Sequence, residues 1–236
     1  GFSGLHFEGV DPVTGRLKFV THTDRGPNAE PNGILRPFLL PGFTPEIVRF
    51  ELDRGCGQLT LTQRIPLKDA NGTPLTGLPN TAISTSASAP YNDEVPVDLF
   101  GEVLPLDPLG GDIEGVVIDP ATGTFWMCDE YRPAIYHFNT NGVLIKRFVP
   151  IGTAAAAGKP AGTFGEEVLP AVLAQRRQNR GFEGIALDGG KIYAFVQSPL
   201  RNPASAANGT LNANNNIRVV EFNPTNNATK QFIYVM

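Results

Sequence analysis

The chain has 236 residues, 41% hydrophobic and 18% charged, enough to bury a core without a metal or disulfide, which excludes a disordered protein. Its 26 Gly and 21 Pro imply many tight turns between short elements and argue against a helical bundle or coiled coil. A net charge of −4 with no block of like charges speaks against a nucleic-acid partner, and no apolar run approaches the roughly 18 residues that span a bilayer.

The chain opens at Gly1 without Met or an apolar leader, which reads as a processed product or a fragment. A first hairpin is predicted where Ser3-Gly4-Leu5-His6-Phe7 leads through the turn Asp11-Pro12-Val13-Thr14-Gly15 into 16–21, with outer strands at 45–52 and 58–65. Residues 66–110 are rich in Pro, Ser and Asn and read as an irregular surface segment. The unit then recurs: Asp112-Ile113-Glu114-Gly115-Val116-Val117-Ile118 runs into Asp119-Pro120-Ala121-Thr122-Gly123 and back through Phe125-Trp126-Met127-Cys128, with outer strands at 134–139 and 143–149. A second irregular segment, 151–180, carries one predicted short helix over about 169–179, with Pro170 suited to its first turn and Gly181 to its end. A third unit starts at Gly181-Phe182-Glu183-Gly184, continues to Gln197, and after the Asn-rich loop 199–216 adds outer strands at 217–223 and 230–235.

Four short strands in about 40 residues is the size of one β-propeller blade. The prediction is therefore an all-β fold, a β-propeller of four-stranded antiparallel blades with long loops and one short helix. It forms a single incomplete domain over 1–236 with blade-like units at about 1–65, 111–150 and 181–236 and insertions at 66–110 and 151–180. Propellers close with four to eight blades, so three imply a larger ring completed by more of the protein or by a second chain. Cys56 and Cys128 are too few for a disulfide framework or a thiolate zinc site, and whether they pair is left open.

In a hairpin, residues before the first strand and after the second lie at one end. Repeated around a ring, this rule gathers Asp24, Glu114, Asp129, Glu130 and Glu183 at one mouth. Such like charges repel unless a cation neutralises them, and an oxygen-only set suits Ca²⁺. His22 at the same end is a candidate general base. The competing readings are structural: Glu-Gly at a strand start can bond the neighbouring blade, His22 can be a hydrogen-bonded strand residue, and Asp11, Asp119 and Asp188 can cap their own turns, the reading favoured for those three. Nucleophile-elbow and phosphate-loop motifs are absent from the sequence. Three sequons, at Asn71, Asn208 and Asn227, matter only in a eukaryotic secreted setting.

The ordered set Thr23-Asp24-Arg25-Gly26, Asp112-Ile113-Glu114-Gly115, Cys128-Asp129-Glu130-Tyr131, Arg176-Arg177-Gln178-Asn179-Arg180-Gly181-Phe182-Glu183-Gly184 and Gln197-Ser198-Pro199-Leu200 resembles the phytase-like domain family over almost the whole chain. This family, described by an esterase-like activity of phytase, is similar to calcium-dependent propeller phytases. The resemblance implies a secreted or periplasmic Ca²⁺-dependent hydrolase of small phosphoesters. Asp24, Glu114, Asp129, Glu130 and Glu183 would be the metal side, Glu130, Asp129 and His22 the catalytic candidates, and Arg25, Arg132 and Arg201 the contacts for phosphate or carboxylate. The alternatives are a carboxylester or lactone hydrolase on the same site, and a non-catalytic propeller for binding or envelope structure.

Overall fold

The computed structural model describes residues 1–83, 93–202 and 208–236. The first part of the chain forms β1 (Phe2–Val10), β2 (Leu17–Thr23), β3 (Leu35–Pro37), β4 (Glu46–Leu52) and β5 (Leu59–Pro66). Of these, β1, β2, β4 and β5 make a four-stranded antiparallel sheet in that order. Its first turn shows why Asp-Pro-x-Thr-Gly recurs. Asp11 Oδ1 accepts from the backbone N–H groups of Val13 and Thr14, and Gly15 closes the turn at φ +70°, where a side chain would be strained. Asp119 and Gly123 repeat the device in the next unit, so these two aspartates serve their turns.

Between the first two units, β6 (Val95–Val97) pairs in parallel with β3, so the stretch expected to be irregular contains one short strand pair with the preceding loop; its residues 84–92 lie outside the described residues. The second sheet comprises β7 (Ile113–Ile118), β8 (Phe125–Asp129), β9 (Ala134–Phe138) and β10 (Leu144–Pro150). After the single-turn helix α1 (Thr153–Ala156), β11 (Glu166–Leu169) joins β10 in parallel, giving five strands where the sequence suggests four. The Glu167 carboxylate ties this return by accepting from Gly152 and Ala154 N–H, both at 2.7 Å. The helix expected over 169–179 is corrected to a five-residue 3-10 turn, Ala171–Gln175. Leu169 belongs to β11, and Arg176 turns to an extended ψ of 154°, from which its buried guanidinium donates to Tyr131 O at 2.6 Å.

The third sheet is antiparallel, with β12 (Phe182–Asp188), β13 (Lys191–Val196), β14 (Asn216–Asn223) and β15 (Ala228–Val235) in order, and the short helix α2 (Asn208–Asn212) before β14. Residues 203–207 of the loop expected there lie outside the described residues. Alternation along β8 welds the sheets. Phe125 and Met127 pack with Val20, Ile47 and Ile65 of the first sheet, while Trp126 and Cys128 pack with Phe182, Ile192, Ala194, Val220 and Phe222 of the third. Each large side chain so buried contributes about 1.5–3 kcal/mol. Cys56 is exposed and Cys128 buried, and both are free thiols.

The leading strands β1, β7 and β12 run side by side. Glycines allow the approach: a Cβ on Gly4 would sit 3.3 Å from Gly115 Cα, and one on Gly115 would sit 3.0 Å from Ile185 Cγ2. The described residues form an open row of sheets rather than a closed ring. The far faces of the outer sheets expose Phe2, Leu5, Leu59 and Leu61 at one end and Phe195, Phe232 and Tyr234 at the other.

Candidate functional site

The Glu-Gly repeat is a β-bulge. Register slips between Ile113 and Gly115 and between Phe182 and Gly184, which leaves Glu114 and Glu183 as extra residues outside their ladders; a third slip at the matching place in β1 spans Ser3 and Leu5. Bulges re-aim a side chain, and here each does so at the end of the leading strand where its hairpin partner finishes. Ile113 pairs with Asp129, Phe182 with Val196 and Phe2 with Thr23, so Glu114 adjoins Glu130, Glu183 adjoins Gln197, and Asp24 lies beside the chain start.

Asp112, Glu114 and Glu130 each bring a carboxylate oxygen to within 4.8 Å of the others. Two amides link the group. Asn179 Nδ2 donates to Glu130 Oε2 at 2.6 Å and to Asp112 Oδ2 at 3.3 Å, from a left-handed backbone at φ +44°. Gln197 Nε2 donates to Glu130 Oε1 at 2.7 Å and to Glu183 Oε2 at 2.9 Å. Gly181 allows the closeness, because a Cβ there would meet Glu130 O at 2.4 Å.

Burial is the main force on these acids, with mutual repulsion added to it. It pushes Glu130 up to about 10, with Asp112, Glu114 and Glu183 contributing. Glu114 is pushed up to about 8 by burial and then by Asp112, and Asp112 and Glu183 are also raised, burial leading in both. The nearest cation is shared: Arg25 Nε lies 3.3 Å from Asp112 Oδ2 while its Nη1 holds Glu94 at 2.7 Å. Asn179 Oδ1 is buried and accepts no hydrogen bond, an amide oxygen beside the carboxylates. Four crowded acids and an idle amide oxygen, all hard donors, fit a divalent cation of the Ca²⁺ type.

The other residues singled out from sequence lie apart from this group. Asp24 holds the N-terminal ammonium at 3.0 Å and Gly26 N–H at 3.0 Å, at the edge of the cluster. Asp129 is fully buried and filled: Oδ1 accepts from Asp112 and Tyr131 N–H at 3.0 Å, and Oδ2 from Asn80 Nδ2 at 2.9 Å and Arg147 Nη2 at 3.0 Å. It shapes the site from behind. His22 is equally buried, its Nδ1 3.1 Å from Thr23 O and its Nε2 against Gly4, and burial pushes it down to about 4 against the opposing pull of Thr23 O and Asp24, which favours the neutral ring. Arg132 pairs with Asp93 at 2.5 Å, with Arg176 on the other carboxylate oxygen. Arg201 is anchored through its N–H to Gln175 O at 2.9 Å. Asp112 and Asn179 are the residues sequence reasoning missed, while hairpin alignment places Gln197 beside Glu183 as an uncharged corner, where the structure has it. Of these two, Asp112, two before Glu114 and so on its side of an extended chain, carries a signal, and Asn179 carries none.

A family model described as Phytase-like, esterase-like activity of phytase, matches residues 1–236. A protein of Arthroderma benhamiae, described as an uncharacterized secreted protein, is 30% identical over 168 residues, covering 61% of this chain and 32% of its own length. The chain thus spans about a third of that relative. A solved structure from Bacteroides uniformis, provisionally named a 6-phosphogluconolactonase, aligns over 96% of this chain and 55% of its own at 12% identity and a TM-score of 0.33. No helix among the described residues is long and apolar enough to cross a membrane.

Proposed function

We propose that this chain, which belongs to the phytase-like family described by an esterase-like activity of phytase, carries the metal-binding part of a secreted, Ca²⁺-dependent phosphoester hydrolase. The observation that carries the reading is the convergence of Asp112, Glu114 and Glu130 within 4.8 Å, with too little positive charge around them. Asp112, Glu114 and Glu130 would hold the ion, with Asn179 Oδ1 beside them and Glu183 joined through Gln197. Calcium bound there supplies charge neutralisation for a phosphate and a lowered pKa for a coordinated water. Glu130, which holds a proton readily in the metal-free cluster, would give it up on ligating the ion. Asp129 keeps Asp112 in place through its backbone N–H, and Arg25 balances Asp112 from the opposite side.

In the same reading the three sheets are blades of a propeller whose mouth bears the acids. The side-by-side leading strands and the recurring bulge support it, as do the apolar outer faces, which further blades of a longer protein would cover. The direct test is turnover of phosphomonoesters and of carboxylesters by the full-length secreted protein, with CaCl₂ and with EGTA. Calcium-dependent release of phosphate is expected. Equal turnover in chelator would remove the metal, and hydrolysis of carboxylesters alone would replace the substrate class.

A further inference from the structure

The short pairing of β3 with β6 places Glu94. Val95, the next residue, donates its N–H to Ile34 O at 2.8 Å, and Arg36 of β3 stands opposite Pro96 of β6. Arg36 grips one Glu94 oxygen from Nε at 2.9 Å and Nη2 at 2.6 Å, and is itself fixed by Nη1 on Ala29 O at 3.0 Å. The other Glu94 oxygen takes Arg25 Nη1 at 2.7 Å. Glu94 is thus a buried carboxylate with one guanidinium on each oxygen.

Arg25 has a second partner in the acidic cluster. Its Nε lies 3.3 Å from Asp112 Oδ2, the oxygen that also takes Asn179 Nδ2 at 3.3 Å. Both contacts on that oxygen are longer than the 2.7 Å bond from Arg25 to Glu94. The backbone of Arg25 is pinned, because a Cβ on Gly77 would sit 2.6 Å from Arg25 Cα. Tyr131 holds Gly77 in turn, its hydroxyl donating to Gly77 O at 2.7 Å while its ring lies 5.6 Å from the Arg25 guanidinium. Movement of Arg25 is therefore a swing of its side chain between Glu94 and Asp112.

A divalent ion and a guanidinium that share one carboxylate repel each other, the more so where little water screens them. An ion that ligates Asp112 must displace Arg25, and the cost depends on where the guanidinium can go. Glu94 is a partner it already holds; without Glu94, Arg25 would have Asp112 alone. We propose that Arg25 is the resident counter-ion of the acidic cluster, which yields Asp112 to the divalent cation, and that Glu94 is the positioning residue that holds Arg25 back from a full pair with Asp112. The inference rests on the calcium reading for one point, that a divalent cation occupies the cluster.

The test is a double-mutant cycle read by calorimetric titration of CaCl₂ into the metal-free full-length protein. Glu94→Gln is expected to weaken calcium binding about tenfold, because Arg25 then pairs with Asp112 alone, and Arg25→Gln to tighten it by a similar factor. Glu94→Gln combined with Arg25→Gln is expected to bind like Arg25→Gln, since Glu94 acts through the guanidinium; a merely structural loss at Glu94 would not be rescued in this way. Arg25→Gln leaves Glu94 on Arg36 and Asp112 on Asn179, so it keeps the proposal testable if Glu94→Gln fails to fold. NMR of the arginine Nε–H groups gives a second reading, with the Arg25 signal assigned by its loss in Arg25→Gln. In EGTA that proton is expected to exchange more slowly with water in Glu94→Gln than in wild type, and in wild type its signal is expected to shift as CaCl₂ is added. Equal calcium affinity in wild type and Arg25→Gln overturns the counter-ion and leaves the metal site standing. So does a loss in Glu94→Gln that persists undiminished without Arg25, which would trace the effect to overall charge or packing, and so does an Arg25 signal that ignores both calcium and the Glu94 substitution. No calcium binding by wild type overturns the metal site and the counter-ion together.

Discussion

Arg147 Nη2 lies 3.0 Å from Asp129 Oδ2, and neither side chain reaches solvent. The pair sits directly beneath the acidic cluster, since the other Asp129 oxygen accepts from Asp112 N–H. Arg147 also donates to Pro108 O and Phe164 O, so it joins β10 to two loops. Removing one partner strands a buried charge. Arg147→Met is expected to destabilise the protein by about 3–5 kcal/mol in urea unfolding, far more than a surface pair contributes. A loss under about 1 kcal/mol would show that the pair does not hold the site.

The raised carboxylates set a pH dependence in the metal-free protein. Glu114 titrates near 8 when folded against 4.5 in its ordinary state, so its contribution to stability is full below about 4.5 and lost as pH rises through about 8. Glu130 and Asp112 act in the same direction, burial again leading. Melting temperature in EGTA is expected to fall from pH 5 to pH 8, and saturating CaCl₂ is expected to restore more at pH 8 than at pH 5. Glu114→Gln is expected to flatten the EGTA profile; a variant profile as steep as wild type would contradict the assignment.

His22 works in the opposite sense. Burial holds its folded pKa at about 4 against 6.5, so its contribution is present above about 6.5 and lost as pH falls through 4. NMR titration is expected to show the His22 ring neutral down to about pH 4. A midpoint near 6.5 would place it in contact with solvent or with the acids, and would return it to the list of proton carriers.

Gly181 bears on stability and site together. A methyl there meets Glu130 O at 2.4 Å and Asp129 O at 2.8 Å, both backbone atoms that cannot swing aside. Gly181→Ala is expected to cost about 1–3 kcal/mol and to weaken calcium binding by displacing Glu130. Wild-type stability and affinity in this variant would mean that β12 sits further from β8 than described.

Much of this was legible in the residues and some was not. The turn Asp-Pro-x-Thr-Gly and the alternation of β8 announce hairpins locally, and hairpin pairing sets Glu114 beside Glu130, whereas bringing Glu183 to them takes the side-by-side placement of β7 and β12. The Glu-Gly repeat is visible as a motif, but its meaning as a bulge depends on register with the partner strand. The expected helix before β12 fails because Arg176 is drawn inward to Asp93, 83 residues away in sequence, a contact that local propensity does not register. Arg25 and Arg132 look available on the chain for the same reason: their partners Glu94 and Asp93 come from a remote loop. Asn179 carries no charge to draw notice, and the bond from Gln197 to Glu130, unlike its place beside Glu183, exists only where two sheets meet.

The central claim is that Asp112, Glu114 and Glu130 hold a divalent cation. Calorimetric titration of CaCl₂ into the metal-free full-length protein and its Glu114→Gln variant tests it most directly. Saturable binding by wild type, weakened about tenfold or more in the variant, is the predicted result. Absence of binding, or equal affinity in both proteins, would contradict it.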